Sequence, residues 1–173
     1  MRKVIFGCAN SLDNFIARKR HEVDWLLWDD EVASIAAKFW KRIDTVLMGR
    51  KTYEVALKCG TTAYPGVKNY VFSGSMKKSP DPRVKIVSED AADFLKQLKK
   101  RKGKSICVIG GGKLARTFLE ADLIDEIGVN IHPVLLGSGI PLFHKLRRQI
   151  DLELLETRIL QNGCVYLLYG VKR

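Results

Sequence analysis

The stretch SICVIGGGKLARTFLEA, residues 105–121, contains the transition on which the fold depends. Its β-branched run at Ile106, Val108 and Ile109 is typical of a strand that is covered on both faces. The run stops at three glycines, beyond which apolar residues recur at helical spacing, so the pattern predicts a strand, a tight turn and an amphipathic helix. A helix N-terminus carries free N–H groups and the positive end of the helix dipole, and this turn therefore suits an anion.

The glycines of this turn, with Ala115, satisfy the loose dinucleotide pattern G-x-G-x-x-A. The acidic residue that this pattern wants about twenty positions later is missing, because that region begins with Asn130 and Ile131. The phosphate-binding P-loop pattern is also excluded, since Lys113 is followed by Leu114 rather than by Ser or Thr. A tight turn that binds nothing remains an alternative at this point.

The length of 173 residues fits one domain, and we expect a single domain over residues 1–173. No apolar run approaches the roughly 18–20 residues that cross a bilayer, and polar residues interrupt the N-terminal apolar stretch. The sequence therefore predicts a cytoplasmic protein without a membrane segment. The four cysteines are scattered without C-x-x-C pairing, and we expect neither disulfides nor a metal site.

The net charge of +11 is compatible with nucleic acid binding, with a polyanionic cofactor, or with solubility alone. The densest basic run, residues 96–104, ends a predicted helix, where cations are favourable. It lacks the interleaved aromatic residues of a single-strand binding surface, and we expect no nucleic acid partner. A nucleic acid binder driven by the net charge is a rival interpretation.

Strands and helices are predicted to alternate along the chain, followed by a hairpin. The predicted strands are residues 3–8, 45–48, 68–72, 84–87, 106–109 and 125–132, and the hairpin joins residues 150–160 to 164–172 through an Asn-Gly turn. Helices are predicted from Asp29 or Asp30, after Thr52, after Asp90 as far as Gly103, and after Gly112. Residues 9–17 are predicted as a loop and residues 133–143 as an extended, kinked segment. The pattern predicts a three-layer α/β/α fold whose sheet is mostly parallel with an antiparallel C-terminal hairpin.

Two further predicted strands end in groups that suit a phosphate. The strand over residues 45–48 runs into Gly49, and Arg50, Lys51 and Thr52, a basic pair beside a hydroxyl, lie at the entry to the next helix. The strand over residues 68–72 ends at Ser73 in a small polar tip. Ligands of open α/β sheets bind beyond the carboxyl ends of the strands, so we expect these turns to converge with the glycine turn on one ligand.

Four motifs, in order along nearly the whole chain, resemble those of one superfamily. They are ANSLDNFIA (residues 9–17), LMGRKTYE (47–54), VIGGG (108–112) and PVLLGSGIPLF (133–143). The chain is similar to the dihydrofolate reductase-like superfamily, and within it to the reductase domain at the C-terminus of bacterial riboflavin-biosynthesis enzymes and its stand-alone relatives.

This resemblance implies a reductase that uses NADPH and acts on a small oxidised C=N or C=O substrate, such as a pterin or a pyrimidine sugar, and it suggests a homodimer. It places the diphosphate at Gly110, Gly111, Gly112 and Lys113 with the flanking Ile109 and Leu114, the adenosine-side phosphates at Gly49, Arg50, Lys51 and Thr52, the 2′-phosphate at Ser73, and the nicotinamide at Ala9 and Ile16.

Asp13 is the candidate catalytic acid because the resemblance places its loop, as a lid, beside the nicotinamide. The alternative is that Asp13 only caps its own loop. Asp24 and Trp25 are candidates for the substrate end, although such a Trp is often a core residue. True dihydrofolate reductases carry an acid in the first helix followed four residues later by an aromatic residue, a pair that Asp29 and Asp30 do not form, so folate reduction is a weaker alternative. A catalytically silent nucleotide-binding module is the other.

Overall fold

A computed structural model of the chain describes residues 1–173 and contains ten strands and four helices. In chain order the elements are β1 (Val4–Ser11), β2 (Phe15–Ala17), α1 (Asp30–Trp40), β3 (Ile43–Gly49), α2 (Arg50–Lys58), β4 (Lys68–Phe72), β5 (Val84–Val87), α3 (Ala91–Lys100), β6 (Ser105–Ile109), α4 (Gly112–Glu120), β7 (Glu126–His132), β8 (Ile140–Pro141), β9 (Leu152–Ile159) and β10 (Val165–Val171).

Eight of these strands form one sheet in the order β5-β4-β3-β6-β1-β7-β10-β9. The six strands from β5 to β7 are parallel, whereas β10 and β9 join the sheet antiparallel. The predicted fold class, a mostly parallel sheet with an antiparallel C-terminal hairpin, is confirmed.

Each face of the sheet is covered by a pair of helices. Successive side chains of a strand point to opposite faces, so neighbouring residues of β1 belong to different clusters. Val4 and Phe6 of β1 belong to a cluster of 15 buried residues that includes side chains of α3 and α4. Ile5, between them, belongs to a second cluster of nine buried residues, on which α1 and α2 pack. These three layers place the N-termini of α2 and α4 at the same edge of the sheet, above the ends of β3 and β6.

The structure differs from the sequence prediction where two segments far apart in the chain pair with each other. Strand β1 continues to Ser11 because Ala9, Asn10 and Ser11 pair with β7. The short strands β2 and β8 form a separate two-stranded sheet, extended by the bonds Leu12 N–H to Val134 O (2.9 Å) and Leu142 N–H to Asn14 O (2.8 Å). We call residues 11–17 and 134–142 together the flap. Helix α3 also ends at Lys100, before the predicted Gly103.

None of the helices combines the length and apolar character that crossing a membrane requires. All four cysteines are free thiols, and His, Cys, Asp and Glu side chains form no group of three or more that could hold a metal ion.

Candidate functional site

A cleft of about 740 Å³ lies at the carboxyl ends of four strands that are consecutive in the sheet, β4, β3, β6 and β1. Parallel strands bring their carboxyl ends to one edge, where ligands of such sheets bind. The lining consists of Gly7, Cys8, Ala9, Ile16, Ala17, His21, Val23, Leu26, Gly49, Arg50, Lys51, Thr52, Val55, Phe72, Ile109, Gly110, Gly111, Gly112, Lys113, Leu114, Thr117, Ile140, Pro141 and His144. Of the thirteen residues predicted to bind a cofactor, all except Ser73 line this cleft.

The glycine turn joins β6 to α4 in a conformation and a space that demand glycine. Gly110 and Gly111 have φ of 50° and 73°, which side chains with a Cβ rarely adopt. A Cβ on Gly112 would lie 2.6 Å from the carbonyl oxygen of Leu142, and one on Gly111 would lie 3.2 Å from Oγ1 of Thr52. The turn is therefore packed against the flap on one side and against the start of α2 on the other.

The two helices that begin at the cleft lack the side-chain caps that the other two possess. Helices α1 and α3 are capped by Asp29 and Asp90, whose carboxylates accept from the N–H groups of Val32 and Asp93. Helices α2 and α4 begin after Gly49 and Gly111 without a side-chain cap and without an acidic residue in the first turn. The free N–H groups at both helix starts therefore face the cleft without a protein acceptor.

The charges of the cleft reinforce these two helix ends. Arg50, Lys51 and Lys113 line it, and neither Asp nor Glu does. Cations beside two positive helix ends create a positive field, which the pair of Arg50 with Glu54 offsets only in part and which an anionic ligand would neutralise. This arrangement disfavours the alternative of a glycine turn that binds nothing.

The tip after β4 meets the cleft through Arg50 rather than through Ser73. The Ser73 hydroxyl accepts from the N–H groups of Ser75 (3.3 Å) and Met76 (2.9 Å), so it closes its own turn. Arg50 donates to the Ser75 hydroxyl at 2.6 Å and lies 3.3 Å from the Glu54 carboxylate. Neither Ser73 nor Ser75 of the predicted polar tip lines the cleft, and Ser75 reaches it only through its bond with Arg50.

At the other end of the cleft, the side chains predicted to meet a substrate point elsewhere. Asp24 pairs with Arg18 at 2.8 Å in solvent, and Trp25 is buried with its ring edge-on to that of His132, 5.2 Å between centroids. Neither lines the cleft, although Val23 and Leu26 from the same segment do. The residues that line the cleft and those that do not are neighbours in this segment. Because the segment has no regular secondary structure, its sequence carries no pattern that tells which side chains face the cleft.

Asp13 does not line the cleft either. Its carboxylate accepts from the Ser11 hydroxyl at 2.6 Å and from the N–H groups of Leu136 (3.1 Å) and Gly137 (2.7 Å). The Ser11 bond, followed by the two backbone bonds, lowers the pKa of Asp13 below its ordinary value. The interpretation of Asp13 as a lid acid beside a reacting group is therefore corrected: the carboxylate fastens the two halves of the flap.

Three ionisable residues of the lining were not predicted from the sequence: Cys8, His21 and His144. Burial raises the pKa of the Cys8 thiol to about 12, and the thiol contacts the Ala9 carbonyl oxygen at 3.2 Å. Burial, and then the nearby charges of Lys113 and Arg116, lower the pKa of His144. No local pattern distinguishes these residues, because long-range folding alone brings them to the cleft.

An open, mostly parallel α/β sheet with a cleft across its strand ends defines this chain as dihydrofolate reductase-like in fold. The profile of the RibD C-terminal domain matches residues 2–166, and the chain belongs to that family.

Two proteins of Bacillus subtilis (strain 168) resemble the chain over most of its length. YwjB is 38% identical over 159 residues, 91% of this chain and 91% of that protein. YyaP is 33% identical over 180 aligned positions, 97% of this chain and 94% of that protein. Both bear the description uncharacterized protein.

Two solved structures share the fold. A putative riboflavin biosynthesis protein from Shewanella sp. PV-4 has a TM-score of 0.87 at 29% identity, with 99% of both chains covered. A diaminohydroxyphosphoribosylaminopyrimidine deaminase/5-amino-6-(5-phosphoribosylamino)uracil reductase from Thermotoga maritima has a TM-score of 0.74 at 17% identity. That comparison covers 99% of this chain but 57% of the Thermotoga protein, so it shows the fold alone.

Proposed function

We propose that the protein is an NADPH-dependent reductase that transfers a hydride to the carbon of a small oxidised C=O or C=N compound. One observation carries the proposal: two uncapped helix N-termini and three cations face one cleft that contains no carboxylate. Membership of the RibD C-terminal domain family supports the reductase class.

The residues of the cleft fit NADPH in the order in which the strands lie. The N–H groups at the start of α4 and Lys113 would hold the diphosphate, and the start of α2 with Arg50 and Lys51 would hold the phosphates on the adenosine side. An NADH site instead prefers an acidic residue at the ribose hydroxyls, and no acidic side chain lines this cleft.

The shape of the cleft suits an extended ligand. It crosses four neighbouring strands, which are three steps of about 4.8 Å each. With phosphates at β3 and β6, the nicotinamide would lie over the end of β1, where Ala9 and Ile16 line the cleft. When bound, the cofactor supplies the hydride, while the protein supplies position and exclusion of water.

The end near β1 is the part of the cleft left for the substrate. Ile16, Val23 and Leu26 give it apolar walls, and the flap contributes Ile140 and Pro141. Such walls favour a planar or largely apolar body around the reacting C=O or C=N group. Helix α1 contributes no lining residue, and Asp29 is occupied as its cap, so the geometry offers no helical acid for a folate reductase.

Calorimetry with NADPH, NADH and 2′,5′-ADP tests the cofactor assignment. We expect NADPH to bind at least tenfold more tightly than NADH, and 2′,5′-ADP to retain part of the affinity through the phosphate contacts. Loss of near-ultraviolet nicotinamide absorbance on addition of carbonyl or imine compounds then tests turnover. Absence of heat with all three nucleotides would refute the proposal, and tight NADPH binding without turnover on any compound would favour a silent nucleotide-binding module.

A further inference from the structure

We infer that His21 is the proton donor of this reductase, an inference that rests on the proposed function. The cleft contains no carboxylate, so the usual acidic residue is missing from the place where a proton is needed. Reduction of a C=O or C=N group requires a proton on the oxygen or nitrogen atom when hydride reaches the carbon. The candidates for that donor are the ionisable side chains that line the cleft.

His21 lines the cleft from a tight turn with left-handed backbone. Its φ is 68°, in a region that most residues with a Cβ avoid but that histidine adopts more often than most of them. Its N–H donates to the Arg18 carbonyl at 2.9 Å, and the Arg18 N–H donates to the Glu22 carbonyl at 3.0 Å, so the turn is closed from both sides. Left-handed backbone at a histidine is held by its surroundings and is typical of functional positions.

Contacts within residues 18–24 hold the turn in shape. Arg18 pairs with Asp24 through two guanidinium contacts of 2.8 and 3.4 Å, and the Glu22 carboxylate accepts from the Arg20 N–H at 3.1 Å. Four residues after His21, Trp25 is buried against His132. His21 is half-buried, so its ring reaches the cleft while water reaches the ring.

The other ionisable groups are unsuited to the role. Cys8 retains its proton far above neutral pH, because burial raises its pKa to about 12. Lys51 and Lys113 belong to the two helix starts assigned to phosphates. His144 lies against the glycine turn, where its Cδ2 would be 2.9 Å from a Cβ on Gly112. His21 is the remaining donor, and it shares its segment with Val23 and Leu26 of the substrate end.

The step balances with NADPH as the reductant. Bound NADPH would supply the hydride for the new C–H bond, and the π electron pair of the C=O or C=N group would move onto the oxygen or nitrogen. A ring nitrogen of the His21 imidazolium gives its proton to that atom, which yields an alcohol or an amine, a neutral imidazole and NADP⁺. The half-exposed ring then regains a proton from water. Histidine suits this cycle because its ring nitrogens can both give and accept a proton.

Histidine NMR spectra test the placement without turnover. The chain contains three histidines, and His21→Asn and His144→Asn assign their signals. Asparagine suits position 21 because it also tolerates left-handed backbone. We expect NADPH to shift the His21 signal, and 2′,5′-ADP, which lacks the nicotinamide, to leave it in place. An unmoved His21 signal in a protein that binds NADPH by calorimetry overturns this inference but not the proposed function.

Single-turnover kinetics with benzaldehyde as the probe test the chemistry. We expect His21→Asn to bind NADPH within about twofold of wild type and to transfer hydride about 10²–10³ times more slowly, as loss of a general acid predicts. Added imidazole should restore part of the rate. Lys19→Gln, an exposed neighbour on the same turn that does not line the cleft, is the matched control. An unchanged rate in His21→Asn contradicts the inference, and where benzaldehyde is not reduced the NMR result decides.

Discussion

Gly112 is the first residue of α4, and its missing side chain allows the flap to pack against the glycine turn. The carbonyl oxygens of Leu142 and Pro141 would lie 2.6 and 3.1 Å from a Cβ at this position. Backbone atoms cannot rotate away as a flexible side chain can, so any larger residue must move the flap away from the glycine turn.

Gly112→Ala should therefore lower both stability and nucleotide affinity. We expect a loss of about 1–3 kcal/mol in the free energy of unfolding, the usual cost of overpacking, measured by denaturant titration. NADPH affinity should fall in the same variant, as measured by calorimetry. Gly74→Ala is the control, because a Cβ there meets nothing within 4 Å and its backbone is ordinary. Equal stability of both variants would contradict the packing argument.

Asp13 fastens the flap through its charge, so its contribution depends on pH. The Ser11 hydroxyl and the N–H groups of Leu136 and Gly137 hold the pKa of this carboxyl below its ordinary value. A carboxyl with a lower pKa in the folded state stabilises the fold above its unfolded pKa, about 3.9, and this stability disappears as pH falls through the folded pKa.

Asp13→Asn should unfold more readily than wild type at about pH 7, and the difference should narrow as the pH falls below about 4. Denaturant midpoints measured across this range check the expectation. A difference that stays constant with pH would mean that the geometry of the side chain, rather than its charge, holds the flap.

Sequence reasoning was most successful for residues whose place follows from a local motif. Arg50, Lys51 and Thr52 line the cleft as predicted, because a helix start fixes the direction of its first residues. Asp24 and Trp25, the candidates for the substrate end, lie outside the cleft, and Trp25 is a core residue, as the alternative had it. His21 was not among the candidates. A lone histidine in a basic loop carries no local signal, because only long-range folding brings it to the cleft.

At the scale of elements, the helix starts at the cleft are less stabilised than they could be. Lys51 lies in the first turn of α2, where a cation opposes the helix dipole. Such a choice costs stability and is explained if the same positive field binds an anion.

Lys51→Glu should therefore separate stability from binding. We expect the free energy of unfolding to rise by about 0.3–1 kcal/mol at low ionic strength, because an acidic residue complements the dipole. NADPH affinity should fall more than tenfold, and less so in high salt. Denaturant titration and calorimetry at two salt concentrations measure the two effects.

Lys58→Glu makes the same change of charge in the last turn of the same helix, away from the cleft. It should lower stability slightly, because a cation is favourable there, and leave NADPH affinity within about twofold. If both variants weaken NADPH equally, overall charge rather than the helix start attracts the nucleotide.

Most strands and helices were predictable because each carries its own hydrophobic period and its own start or stop signal. The exceptions were β2 and β8, which have three and two residues. Strands this short have no periodicity to detect, and they exist because Phe15 and Ala17 find Pro141 and Ile140 across the chain. The extension of β1 through Asn10 and Ser11 likewise depends on pairing with β7, which overrides the polar character of these residues.

At the scale of the whole molecule, β9 is an open edge of the sheet with apolar side chains in solvent. Leu154 is 54% and Ile159 is 82% exposed. Edge strands offer unpaired backbone groups, and apolar side chains on them favour pairing with another strand. The prediction of a homodimer that uses the terminal hairpin stays a prediction, and this edge is the surface on which to test it.

Sedimentation analysis should show a dimer for wild type and a monomer for Leu154→Glu. Leu135→Glu is the control, because Leu135 is also exposed, at 69%, but lies in the flap. The dimer should persist in that variant. A wild-type monomer at all protein concentrations would refute the prediction.

The order of the strands was not predictable from local patterns, since it depends on pairings between distant residues. Strand β1 lies between β6 and β7, formed by residues 105–109 and 126–132. During synthesis on the ribosome, the first strand thus emerges long before either of its neighbours exists. Strand β1 therefore stays unpaired, with its apolar side chains exposed, until most of the chain has been translated. Such non-local pairing slows folding. Nascent chains that end before residue 126 should accordingly depend on chaperones and fail to bind NADPH.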